Sequence, residues 1–249
     1  MKSCKMILIV LIAMVTLILS ACGTTSGNRL GVTVYLVTEI KTGDYKTTYD
    51  YYANGNVKRY DDEFGGGWYC QYRYDNSGNM VSAESGDDSG VKYRYEYTNE
   101  NGFKKQELCF STDGQERSRT EYTYSEEGYL IESTEYRDGE ENERIEYSYD
   151  NNDFLIQEIE YRDGIIKATI DYTYNDNNQL VKKTRSAGIG DSFFTEYEYD
   201  SQGRITKSIT NWDGGETEST YKYKKVRMSV EKAQQLQYEW GNVHVIIVR

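Results

Sequence analysis

Glu196-Tyr197-Glu198-Tyr199-Asp200-Ser201-Gln202-Gly203-Arg204-Ile205 contains a strand, a turn and the start of a return strand. Tyr197 and Tyr199 share one face of an extended segment and Glu196 and Glu198 the other, the period-two alternation of a sheet with one packed side. Asp200 opens a turn, because an aspartate there accepts hydrogen bonds from its own backbone two residues on. Gly203 fills the fourth turn position, which favours a residue that tolerates positive φ. Ile205 begins the return.

The same unit recurs along the chain. Tyr-x-Tyr pairs begin at Tyr49, Tyr72, Tyr95, Tyr122, Tyr147, Tyr172, Tyr197 and Tyr221, at steps of 23 to 27 residues. A period in that range marks stacked supersecondary units that bury a face only against their neighbours. The fourth turn position is Gly55, Gly78, Gly128, Asp153, Asn178 and Gly203, all residues that visit the left-handed region. The third copy, Tyr97 to Gly102, carries an extra residue, which predicts a bulge. Return strands start at Val57, Met80, Leu130, Leu155, Leu180 and Ile205; strict alternation puts Leu155, Gln157, Ile159 and Tyr161 on one face and Glu158 and Glu160 on the other. Asp113-Gly114, Asp138-Gly139, Asp163-Gly164 and Asp213-Gly214 then read as hairpin turns. The expectation is an all-β, antiparallel hairpin array of roughly sixteen strands, a number that favours a curled sheet, a shell or a coiled wrap over a flat blade.

Tyr-x-Tyr-Asp-x-x-Gly-x-aliphatic, as at Tyr72 to Met80 and Tyr197 to Ile205, with Tyr136-Arg137-Asp138-Gly139 further on, resembles the YD repeat of Rhs-type proteins. Tyr51-Tyr52-Ala53-Asn54-Gly55 drifts toward the related repeats of MORN-like antitoxin families. The resemblance runs from about Tyr49 to Tyr223 and implies hairpins winding into a shell, with association with bacterial surfaces and carbohydrate. The conserved core and toxin that end full Rhs proteins are not recognisable after Tyr223, so a cage that holds cargo is not expected.

The two ends differ from the repeats. Residues 1–21 pair a basic start, Lys2 and Lys5, with an apolar run, and end at Leu19-Ser20-Ala21-Cys22, which resembles a bacterial lipobox. This predicts a lipoprotein signal peptide with Cys22 lipidated, a tether over 22–29, and a membrane-anchored, extracytoplasmic protein. An uncleaved anchor is the weaker reading, since Met6 to Ala21 is short of the ~20 residues a spanning helix needs. Gly23 stands where an aspartate would signal inner-membrane retention, which leaves the outer membrane of a diderm and the surface of a monoderm open. A cap strand is expected over 30–48, repeats over 49–225, and a C-terminal cap over 226–249. In that last cap, Ser229 opens a short helix with Val230, Ala233, Leu236 and Trp240 on one stripe, and Val243 to Arg249 forms a final strand.

Composition supports sheet over disorder. The chain has 26 Tyr, 6 Phe and no Pro, with 37% hydrophobic residues, and tyrosine suits a half-buried pleated surface. A formal charge of −12, with Lys and Arg interleaved among Glu, disfavours nucleic acid.

No catalytic residue, metal site or cofactor is expected. His244, the single histidine, lies in the last apolar run with no ligand cluster around it. Asp150-Asn151-Asn152-Asp153 and Asn175-Asp176-Asn177-Asn178 line up oxygens at successive turns, but without a calcium-loop register they read as turn chemistry. Cys70 and Cys109 sit about three strands apart, beyond disulfide reach. The ladder tyrosines Tyr49, Tyr72, Tyr95, Tyr122, Tyr147, Tyr172, Tyr197 and Tyr221 are candidates either for stacking on sugar or for the core, with core the stronger role. The functional expectation is a noncatalytic scaffold binding cell-surface carbohydrate or cell wall; the alternatives are a protein-interaction or structural scaffold, or an immunity-type partner of an Rhs-like system.

Overall fold

The computed structural model describes residues 31–63, 67–187, 192–230, 232–236 and 245–248. The leader, Cys22, Trp240, Gly241 and His244 lie outside these residues. The strands are β1 (Val32–Thr42), β2 (Tyr45–Tyr51), β3 (Val57–Asp62), β4 (Trp68–Tyr74), β5 (Met80–Asp87), β6 (Gly90–Glu100), β7 (Phe103–Ser111), β8 (Glu116–Tyr124) and β9 (Leu130–Arg137). They continue as β10 (Glu140–Tyr149), β11 (Leu155–Arg162), β12 (Ile165–Tyr174), β13 (Leu180–Ala187), β14 (Phe193–Tyr199), β15 (Ile205–Trp212), β16 (Gly215–Met228) and β17 (Val245–Val248). A short helix, α1, covers residues 230 and 232–236.

Strands β1 to β16 form an antiparallel meander in which each pairs with the next, and β16 returns to β1 from Val32↔Met228 to Thr42↔Ser219. The sheet is therefore a closed barrel. Sixteen strands at ~4.8 Å give a circumference of about 77 Å before tilt, wide enough to enclose an interior. The expected N-terminal cap is corrected here. Strand β1 does not cover an edge; it is the closing stave, bound by β16 on one side and by β2 and β17 on the other. Closure removes exposed edges altogether.

Two kinds of turn alternate. At the YD end every loop but that of the third copy makes a tight turn followed by a residue in the left-handed region: Gly203 N–H donates to Asp200 O at 3.0 Å and Asp200 N–H to Arg204 O at 2.9 Å. All six expected fourth positions have positive φ, including Asp153 at 66° and Asn178 at 61°. Asp150 Oδ1 accepts the amides of Asn152 and Phe154, both at 2.9 Å, so the carboxylate holds the turn together. At the other end Asp138-Gly139 and Asp163-Gly164 have both residues at positive φ, the two-residue hairpin geometry, which Asn101-Gly102 of the third copy takes at the YD end. The other two Asp-Gly pairs depart from it. Residues 112–115 separate β7 from β8, so Gly114 closes a turn of the YD kind, with its N–H on Ser111 O at 2.9 Å, while Gly215 rather than Asp213 takes the positive φ at its corner.

A bulge follows each YD turn and overturns the face expected for the return strand. Tyr149 pairs with Leu155 and Ser148 with Gln157, so Ile156 has no partner across the ladder. The same extra residue occurs at Lys58, Val81, Lys105, Ile131, Val181 and Thr206. Parity slips by one, so Leu155 faces inward with Glu158 and Glu160, while Ile159 and Tyr161 face out. The unmatched Val81, Ile131 and Ile156 become exposed apolar residues.

At the YD end α1 packs over one side of the ring. Ala233 and Leu236 of α1, both fully buried, pack with Val34, Leu36 and Val57. Ser229 caps α1 as expected, with its Oγ accepting Lys232 N–H at 3.2 Å. Lys232 donates to Asn56 Oδ1 and Gln235 Nε2 to Gly78 O, tying α1 to two successive turns. A Cβ on Gly55 would lie 2.9 Å from both Leu236 Cδ1 and Met228 Cε, at a φ of +90°. Gly55→Ala therefore costs about 1–3 kcal/mol through backbone strain and crowding against α1, which thermal unfolding will show as a lowered Tm.

Candidate functional site

The ladder tyrosines line the interior. Tyr72, Tyr95 and Tyr172 are buried; Tyr49, Tyr122, Tyr147 and Tyr197 pack partly buried against apolar clusters of the inner wall. The Tyr221 hydroxyl meets Ser208 Oγ at 2.8 Å. Other ladder hydroxyls also meet the neighbouring strand, Tyr147 with Ser133 at 3.1 Å and Tyr172 with Glu158 at 2.5 Å. None of these rings offers a face to the outside.

The second tyrosine of several pairs does a different job, which sequence reasoning missed. Tyr149, Tyr174 and Tyr199 donate to the carbonyls of Leu130, Leu155 and Leu180 at 2.9, 2.9 and 2.7 Å, each reaching one repeat back. In the third copy the register is displaced by two residues, so that Tyr97 takes the place of a first tyrosine and Asn99 that of a second, and Asn99 Nδ2 donates to Met80 O at 2.7 Å. Lys104 replaces the aliphatic residue there. Its ammonium lies 4.2 Å from the Tyr122 ring centre and 3.2 Å from Glu107 Oε2.

The inner wall also carries charge. Glu158 is 4% exposed, and Arg185 reaches Glu160 at 2.7 Å and Arg162 reaches Glu143 at 3.5 Å. Burial pushes the Glu158 carboxyl above its ordinary value and the Lys183 amine below its own, each opposed by the other's charge. Strict alternation concealed this cluster; the bulge brings it inside. Cys70 and Cys109 are unbridged, and burial pushes the Cys109 thiol up to about 11.

The outer wall is polar and ion-paired. Lys182–Glu196 at 3.2 Å, Lys207–Glu218 at 2.7 Å and Lys222–Glu39 at 2.6 Å cross between neighbouring strands. Arginines lie over outward rings, Arg119 on Tyr136 at 4.8 Å and Arg144 on Tyr161 at 4.1 Å. A barrel in a bilayer presents an apolar band to lipid; this belt of charges is suited to water.

With that geometry in hand, comparisons with known proteins give two results. The family model "RHS Repeat" matches residues 174–216, so the chain carries a YD-type repeat. Among solved structures, a porin-like protein from Bacteroides uniformis ATCC 8492 is similar with a TM-score of 0.51 and 15% identity, over 80% of this chain and 99% of that one. It shows a shared barrel fold and nothing of function. A porin-like protein from Bacteroides vulgatus ATCC 8482 matches with a TM-score of 0.38 and 12% identity over 76% of this chain and 99% of the other. The TcdB2-TccC3 structure matches with a TM-score of 0.33 and 18% identity over 72% of this chain, which spans only 10% of that one. No curated protein matches the chain.

Two measurements probe the inner wall. Tyr174→Phe leaves the Leu155 carbonyl without its donor and lowers stability by about 1 kcal/mol, read in a denaturant melt. For Glu158 the raised folded pKa means the folded state holds its proton more tightly. Stability from this group then declines as pH rises from the ordinary 4.5 through the folded value. Glu158→Gln keeps an acceptor for Tyr172 and removes that titration, so its Tm gains on wild type as pH is raised from 4.5 to neutrality. A pH-independent difference would show that Glu158 does not titrate there.

Proposed function

We propose that this chain is a noncatalytic shell scaffold, held outside the cytoplasm by a lipid on Cys22, that binds cell-surface carbohydrate or cell wall. The observation that carries the scaffold reading is the closed ring of repeats whose ladder tyrosines are used internally. Binding by a stripe of exposed ladder tyrosines is disfavoured, because those rings face inward and the hydroxyls of Tyr147, Tyr172 and Tyr221 have partners. The noncatalytic reading is supported by the pairing of the inner carboxylates with guanidiniums or a tyrosine hydroxyl. The lipid anchor rests on the Lys2 to Cys22 pattern alone.

Palmitate labelling of the full chain in a bacterial host tests the anchor. Wild type takes up label and fractionates with membrane, whereas Cys22→Ser does neither; label in the variant would refute lipidation at Cys22. Sedimentation of the detergent-solubilised full chain with insoluble peptidoglycan tests the ligand class. Saturable retention without release of sugar fragments is expected. A folded protein that stays in the supernatant would shift the role to a protein partner or to structure alone, and released fragments would refute the noncatalytic reading.

A further inference from the structure

Inward-facing side chains are covered at one end of the barrel and open at the other. Beside the YD turns Leu130, Leu155 and Ile205 are at most 1% exposed, and α1 covers that end on the side of β1 to β5. At the Asp-Gly end, Tyr45 is 48% exposed and Trp212 52%. Alternation gives their direction. Tyr45 shares its face with Tyr49 and Tyr51, which pack into the inner cluster, and Trp212 shares its face with buried Ser208. The molecule is a cup with its mouth at the Asp-Gly turns.

Two unlike arcs make the inner wall near that mouth. Along the ring from β14 through β16 and β1 to β6, the inward residues nearest the mouth include Phe193, Trp212, Tyr45, Trp68 and Tyr93. Phe193 and Trp212 have ring centres 5.7 Å apart, and Trp68 and Tyr93 6.2 Å apart. From β9 to β13 the inward residues include instead Glu135, Glu143, Glu160, Arg162 and Arg185, with Ile165 beside Arg162, and are joined by Arg185–Glu160 and Arg162–Glu143 ion pairs. The charges there are already compensated, but each carboxylate keeps further lone pairs and each guanidinium further N–H groups. An aromatic wall facing such a polar wall fits a ligand with apolar C–H faces and a hydroxyl edge.

We propose that this mouth is a binding site for a neutral glycan chain, with Trp212 and Trp68 as stacking platforms and Glu160 accepting from sugar hydroxyls. The proposal rests on the carbohydrate reading above and locates it. An overall charge of −12 argues against polyanionic glycans.

Tryptophan fluorescence of the detergent-solubilised full chain, titrated with a β-1,4-linked N-acetylglucosamine tetramer, a β-1,4-glucose tetramer and a polyuronate oligomer, tests it, with calorimetry as the readout for tryptophan variants. At least one neutral tetramer should bind and the polyuronate should not. Trp212→Ala and Trp68→Ala should each weaken binding by about tenfold, and Glu160→Gln by less, while Tyr136→Ala on the outer wall stays within twofold. Circular dichroism confirms that each variant is folded; should Trp68→Ala unfold, Trp68→Phe replaces it. If the tetramers bind but respond only to Tyr136→Ala, the mouth is wrong and the carbohydrate reading survives. If neither tetramer binds to folded wild type, both fall. Tighter binding of the polyuronate overturns the assignment of a neutral ligand.

Discussion

One inserted residue after each YD turn decides what the inside of this barrel is made of. A regular return strand starting at Leu155 would send Ile159 and Tyr161 inward and Glu158 and Glu160 into water. The bulge at Ile156 reverses that choice without moving Leu155. The anchor beside the turn stays apolar, and every inward position beyond it changes identity. Because the insertion recurs in seven turns, the effect is a property of the whole wall. Bulges also strengthen local twist and bend a strand, which a sheet needs in order to close.

Closure supplies the second constraint. The ladder hydrogen bonds of β1 are shared among β16, β2 and β17, so sequence-distant ends complete the same ring. A repeat array usually needs a special cap at each end. Here the first and last repeats are joined through β1, and among the described residues the separate cap is α1, which packs beside the turns of β2–β3 and β4–β5. Gly55 and Gly78 matter there for different reasons: the first leaves room for Leu236, and the second offers its carbonyl to Gln235.

The repeat period, the strand count, the left-handed turn residues and the Ser229 cap were all legible in the sequence, because each rests on local backbone chemistry. Asp153 and Asn178 could be matched to glycines since all tolerate positive φ. Three features were not legible. The bulge at Ile156 has no composition of its own; Lys58, Val81, Ile156 and Thr206 share only a position. Barrel closure depends on a pairing between Val32 and Met228 that no local pattern encodes. The mouth is a consequence of both, since Trp68 and Trp212 look like ordinary strand ends until the ring brings them to one rim.

The third repeat separates what a YD unit needs from what it usually contains. Asn99 stands where the other copies have tyrosine, yet it still donates to the carbonyl of Met80. The hydrogen bond to the preceding repeat therefore matters at this position more than the ring does: a buried carbonyl beside a bulge has lost its regular ladder partner, and leaving it unsatisfied is costly. Lys104 makes the complementary point at the aliphatic position. Its stem packs inward while the ammonium rests over Tyr122 and against Glu107, so a charge enters the wall only with an aromatic and a carboxylate already in place. A chain poor in aliphatic residues can build a closed shell on these terms. Each tyrosine supplies packing area along its ring and a donor at its tip, and the two tasks fall to two tyrosines spaced so that both face in.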